Sequence, residues 1–154
     1  LREAEVVIHL DELAHRAEGK VKCPGGEALA ILDPDRFCVE YVRSDHPGGY
    51  TLRSVGIGHR MFWLEYHSPG DWRSNIGDPS ISVLAEGVRQ EGLLPWLALY
   101  AIDFVPAGEN LFAIDLNVAP GLGGTGLEEW ISGKEVFEEL AGYLGEQATE
   151  GISR

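Results

Sequence analysis

Two stretches of the chain carry the pattern of antiparallel hairpins. Tyr50 to Ile57 and Arg60 to Tyr66 read as a pair of strands joined at Gly58-His59, and Leu97 to Val105 and Leu111 to Val118 as a second pair across Pro106 to Asn110. Glu5 to Leu10 and Phe37 to Val42 read as further strands, the latter followed by the turn-forming run Ser44 to Gly49. Asp11 is placed as the N-cap of a short helix to about Ala17. Gly19 to Glu27 is rich in Gly and Pro and reads as a loop, as does Ser68 to Pro79. Ile81, Leu84 and Val88 fall at helical spacing, which predicts a helix over Ser80 to Leu93 capped by Ser80 or Asp78. Lys134 to Leu144 predicts a closing amphipathic helix with Val136, Phe137, Leu140 and Tyr143 or Leu144 on its apolar side. Antiparallel pairs with helices between them predict an α+β domain.

On the second hairpin, alternation puts Tyr100, Ile102 and Phe104 on one face, with Phe112, Ile114 and Leu116 expected to meet them in the core. The other face then holds Ala101, Asp103, Ala113, Asp115 and Asn117. An odd number of loop residues would make both aspartates point the same way. Two carboxylates and an amide oxygen on one face form a hard-oxygen set suited to magnesium or manganese rather than zinc. A strand end whose Asp and Asn merely solvate a turn is the other account, and spacing leaves both open.

Composition narrows the classes. With 154 residues, 44% of them hydrophobic, the chain reads as one domain with enough apolar surface for a core. Charges interrupt every apolar run, so no membrane span is expected, and no signal-peptide pattern opens the sequence. A net charge of −13 argues against nucleic acid as a partner. Cys23 and Cys38 lack zinc spacing and read as free thiols in a reducing cytoplasm. The histidines (His9, His15, His46, His59, His67) are scattered and make no metal or hydrolase motif.

Ala101-Ile102-Asp103-Phe104-Val105, then Asp115-Leu116-Asn117-Val118-Ala119-Pro120-Gly121-Leu122, with eleven residues intervening between Asp103 and Asp115, resembles the metal-binding end of ATP-grasp ligases. The resemblance is closest to the ribosomal-protein-modifying glutamate ligases and their amino-acid ligase relatives. There, an acid on one strand and an acid-x-Asn on the next bind the magnesium ions that bridge ATP phosphates. That family usually has Glu where Asp115 stands. Two more segments match in order: Cys38 to Val42 is similar to the hinge strand that lines adenine, and Asp71-Trp72-Arg73-Ser74-Asn75-Ile76 is similar to an Asp-Phe-Arg-Ser-Asn segment. Arg53 matches a strand arginine facing the substrate. Together these cover about Phe37 to Gly126.

The resemblance implies an ATP-grasp fold, with residues 1–42 as the remnant of the small nucleotide-covering subdomain and hinge strand. Residues 43–154 would be the C-terminal metal- and phosphate-binding subdomain. It implies metal ligation by Asp103, Asp115 and Asn117 and nucleotide contacts from Glu40, Tyr41, Val42, Arg73, Ser74 and Asn75. Catalytic roles fall to Arg53, Arg73 and Asn75. The implied activity is ATP- and Mg2+- (or Mn2+-) dependent joining of a carboxylate to an amine, with small-molecule or peptide substrates, a cytoplasmic setting and possible homo-oligomers. Two departures bear on activity. Thr51 stands where the family commonly has an acid, and the family's early-strand lysine and glycine-rich loop have no counterpart, because Arg2 to Leu10 reads as the strand after that loop. Lys20 and Lys22 are candidates for the missing cation, but their loop setting and short spacing to Glu40 make them solvated lysines in this reading. The chain is therefore expected to be an incomplete ATP-grasp domain, with a degenerate module that binds nucleotide or a partner protein without turnover as the alternative. Gly121-Leu122-Gly123-Gly124-Thr125-Gly126 matches a dinucleotide-binding fingerprint literally but lacks the parallel strand that must follow it. Glu128-Glu129 and Glu138-Glu139 read as solvated helix faces.

Overall fold

The computed structural model describes residues 4–10, 19–33, 36–90 and 94–152. The architecture is mixed α+β, with two antiparallel sheets and two α-helices among the described residues. The first sheet has three strands, β1 (Glu5–His9), β2 (Lys20–Pro24) and β3 (Phe37–Glu40), with β1 in the middle. Val6, Ile8 and Cys23 turn to one face and pack against Ala28 of α1 (Gly25–Ile31). The expected loop over Gly19 to Glu27 is thus a correction: Lys-Val-Lys-Cys alternates and finishes β2, and Pro24 enters α1, where its fixed φ and missing N–H cost nothing. The helix expected from Asp11 to Ala17 lies outside the described residues.

The second sheet runs in the order β6-β5-β4-β7-β8. Its central hairpin, β4 (Gly49–Ile57) and β5 (Arg60–Ser68), turns at Gly58, whose φ of +57° suits glycine. The backbone of Glu139 also approaches Gly58 too closely for a side chain to fit. β6 (Ser80–Val88) replaces the helix expected over Ser80 to Leu93. Ile81 and Val83 alternate toward the core beside Tyr66 and Leu64, and a bulge then displaces Leu84. That displacement is what lets Ile81, Leu84 and Val88 mimic a helical period. β7 (Leu99–Ala107) and β8 (Asn110–Asn117) form the outer hairpin.

The inner face of this sheet buries Val55, Ile57, Phe62, Leu64, Tyr66 and Ala101 under Leu127, Ile131 and the side chains Val136 and Leu140 of α2 (Gly133–Ile152). Ser132 and Glu135 cap α2 reciprocally: the Ser132 backbone N–H donates to the Glu135 carboxylate, whose own N–H donates to Ser132 Oγ. Arg89 closes the far end. Its guanidinium lies between the rings of Tyr100 and Tyr143 and donates to the carbonyls of Gly58, Leu97 and Leu94. No helix among the described residues is long and apolar enough to cross a membrane.

One core expectation is corrected. Tyr100 and Ile102 are buried, but Phe112, Ile114 and Leu116 are 42%, 52% and 47% exposed. β8 is an edge strand, and no described helix packs along it. A bulge also separates Phe112, which stands opposite Val105, from Leu116, which stands opposite Ile102.

Candidate active site

The site is built at the end of the inner face away from the side chains of α2. The β7–β8 hairpin pairs Ala107 with Asn110 across a two-residue turn, and Phe104 with Ala113. Continued regularly, that register would set Ile114 opposite Asp103. A bulge takes up Ile114 instead, so Asp115 falls opposite Asp103 and Asn117 opposite Ala101. The two aspartates therefore share a face, as expected, but the bulge achieves this and not an odd loop. Ala113 pairs with Phe104 and leaves the face that the sequence reading gave it. Arg53 of β4 stands opposite Asp103 on the other side, which makes a row Arg53–Asp103–Asp115 across three adjacent strands.

Within that row Arg53 grips Asp103 in a fork, Nε to Oδ1 at 2.6 Å and Nη2 to Oδ2 at 2.8 Å. Its guanidinium also lies 4.8 Å from the centre of the Tyr66 ring. Bonding to Asp103 holds the Arg53 charge more firmly than usual, while burial pushes the Tyr66 hydroxyl up despite that neighbouring cation. Asp115 is exposed, and the Asn117 side-chain oxygen accepts the Ala119 N–H at 2.9 Å.

The loop between β5 and β6 is pinned over this end of the sheet. Thr51, one inward position before Arg53, bonds Ser74 through their hydroxyls at 2.8 Å, and Ser68 Oγ donates to the Ile76 carbonyl. The backbone at Arg73 and Ser74 runs so close to Gly49 that a Cβ there would collide at 2.2 Å. Arg73 in turn donates to Asp71 from Nε and Nη2, both at 2.8 Å, which draws the Asp71 carboxyl down to about 2. Asn75 sits half-buried in the same loop. Thr51, which matched no family residue, is thus a tether for the arginine loop; at a separation of 23 residues no sequence signal reveals it.

The small sheet turns its polar face to this end. Lys20, Lys22 and His9 lie opposite the Val6–Ile8–Cys23 face, as strand alternation requires. Lys20 and Lys22 are strand residues, which corrects their reading as loop lysines. His9 is pulled down by burial and by Lys20, and the Asp115 charge acts against that shift. Lys22 Nζ lies 4.3 Å from the Tyr41 ring centre and 5.8 Å from that of Trp72. Of the expected nucleotide-facing segment, Glu40 is exposed and Tyr41 and Val42 are half-buried. The Tyr41 N–H already donates to the Glu5 carbonyl at 2.9 Å, which leaves that donor unavailable to a ligand.

The donors suit a hard cation in kind: two carboxylates and one amide oxygen beside each other on adjacent strands. Each Asp103 oxygen keeps a lone pair beyond its bond to Arg53. Among the described residues no three His, Cys, Asp or Glu side chains gather into a ligand set. A cation here would draw its remaining ligands from water and phosphate, which is the habit of magnesium. No protein-family model matches the chain, and none of the curated proteins matches it.

Proposed function

We propose that this chain is the nucleotide- and metal-binding part of an ATP-grasp carbon–nitrogen ligase acting in the cytoplasm. On this reading the small sheet and hinge (residues 1–42) cover the nucleotide, and residues 43–154 bind metal and phosphate. The observation that carries the reading is the row Arg53–Asp103–Asp115 with Asn117 beside it, aligned by a bulge at Ile114 on an exposed edge strand. Arg73, held over the same end of the sheet, adds a second guanidinium.

The reaction has two steps. A carboxylate oxygen of the acid substrate attacks the terminal phosphorus of ATP, and ADP leaves. The amine nitrogen then attacks the acyl carbon, phosphate leaves, and the nitrogen gives up a proton. Magnesium bound at Asp103, Asp115 and Asn117 would supply positive charge to the phosphate oxygens. Arg53 and Arg73 stabilise phosphate and acyl oxygens through planar forks that suit oxyanions, with Asn75 as a neutral donor beside them. Asp103 and Asp71 hold those two forks in place before substrate arrives. Glu40, Tyr41 and Val42 line the adenine, and Ser74 takes part in phosphate binding.

Calorimetric titration with a non-hydrolysable ATP analogue tests the reading. Binding that requires magnesium is expected; affinity indifferent to magnesium, or no binding, would overturn it. The alternative, a module that binds nucleotide without turnover, draws support from Arg53 occupying both oxygens of Asp103. Hydroxylamine trapping of an acyl phosphate, with ADP release, separates the two: a catalyst yields hydroxamate and a binding module does not.

A further inference from the structure

The small sheet and the arginine loop meet in one stack of rings and cations. Trp72 stands edge-on to Tyr41, with ring centres 5.7 Å apart and planes at 87°. Lys22 lies over Tyr41 and within reach of Trp72, and is tied back to Glu5 at 3.5 Å. The Arg73 guanidinium lies 5.5 Å from the Trp72 ring centre on the large-sheet side. Lys22 belongs to β2, Tyr41 follows β3, and Trp72 and Arg73 belong to the loop after β5. The indole therefore touches both the small-sheet side and Arg73 of the loop after β5.

We propose that Lys22, Tyr41 and Trp72 form a latch between the two sheets, and that Trp72 is a positioning residue that sets Arg73 at the site when the small sheet is closed over it. The physical basis is additive: an edge-to-face aromatic pair and cations over ring faces are each modest, and the contacts share one indole. Contacts of this size hold two bodies together yet permit opening, which a ligand cleft needs. Asp71 fixes the direction of the Arg73 guanidinium and the indole lies against it, so loss of the indole removes one of the contacts that set its position over the sheet. The positioning role rests on the function proposed above for Arg73; the latch does not.

The first measurement needs no ligand. In a protein with Trp63, Trp96 and Trp130 replaced by Phe, Trp72 is the sole indole. Its fluorescence is expected to be shielded from acrylamide, and Lys22→Met and Tyr41→Ala are each expected to raise quenching with circular dichroism unchanged. Quenching like that of a free indole, or indifference to both substitutions in folded protein, overturns the latch. The second measurement is a cycle of Trp72→Ala and Arg73→Gln, read as affinity for the magnesium–ATP analogue. Trp72→Ala is expected to weaken binding about fivefold to tenfold when Arg73 is present, the loss of one or two such contacts, and to have no further effect once Arg73 is gone. Trp72→Phe should restore most of the loss. Additive effects of the two substitutions overturn the positioning role. If the unsubstituted protein binds no analogue, the proposed function and the positioning role fall together, and the quenching result alone still decides the latch.

Discussion

Val55 and Arg53 lie two residues apart on one face of β4 and have opposite surroundings. Val55 is buried beneath the α2 end of the sheet, while Arg53, toward the other end, faces Asp103 and Tyr66. The same strands β4 and β7 run through both regions, so backbone pairing is equivalent and the difference lies in what covers the sheet. At the covered end, apolar side chains gain from leaving water. At the open end, polar side chains are half-buried and must satisfy one another, which Arg53–Asp103, Arg73–Asp71 and Thr51–Ser74 do. The sheet is a shared scaffold with a stability end and a chemistry end.

The largest effect is expected at the covered end. Phe62 is fully buried in that core, and Phe62→Ala is predicted to cost about 3–5 kcal/mol, by transfer plus cavity. Urea unfolding monitored by circular dichroism measures it; a loss under about 1 kcal/mol would mean the core collapses around the void and the contrast between the ends is weaker than drawn.

At the open end the expected sizes are smaller and coupled. Asp103→Ala leaves the Arg53 guanidinium half-buried without its fork, and a loss of about 1.5–3 kcal/mol is predicted, the range for hydrogen bonds to charged groups. The double variant Arg53→Met with Asp103→Leu should recover most of that, because a pair removed whole leaves no uncompensated charge. A double variant as unstable as Asp103→Ala would show that the row contributes through some contact other than the pair.

Both hairpins of the large sheet were legible because their turns and flanking runs agree: Gly58-His59, and Gly108-Glu109 within the expected Pro106–Asn110 segment, each separate strands of nearly equal length. The convergence of Asp103, Asp115 and Asn117 on one face was legible too, but the reason was not, since bulge placement depends on the partner strand and leaves no local mark at Ile114. β6 was misread for a related reason: its bulge at Leu84 disguises a two-residue period as a longer one. Thr51–Ser74, the Arg89 clamp and the Lys22–Tyr41–Trp72 stack all join residues distant in sequence, where neither propensity nor period carries information. The placement of Lys20 and Lys22 on one face of a strand could have been found, since Lys-Val-Lys-Cys alternates as a strand should.

Acid sharpens the comparison from the chemistry end alone. The Asp71 carboxyl is held at about 2, chiefly by the Arg73 side chain, well under its ordinary value of about 3.9. A carboxyl depressed on folding contributes stability that is complete above its unfolded value and is lost as pH falls through the folded one. The loop's anchoring should therefore weaken between about pH 4 and pH 2, with no effect above that window. Carbon-detected NMR titration of Asp71 checks the midpoint, and Asp71→Asn should abolish that step in the pH dependence of stability. An Asp71 midpoint near 4 would mean that the pair with Arg73 is loose in solution.

The smallest effect on stability is expected at the residue on which the proposed function depends most. Asp115 is exposed on an edge strand and stands opposite another carboxylate, whose repulsion offsets the attraction of Arg53 across the row. Asp115→Ala is predicted to change stability by no more than about 0.5 kcal/mol, or to raise it slightly. The same variant should lose magnesium-dependent binding of the ATP analogue, because it removes the one carboxylate of the row that no arginine neutralises. A stable, folded Asp115→Ala protein that binds the analogue as before would remove the metal from this corner. An Asp115→Ala protein that unfolds would instead make Asp115 a structural residue, and the division into a stability end and a chemistry end would fail at its outermost strand.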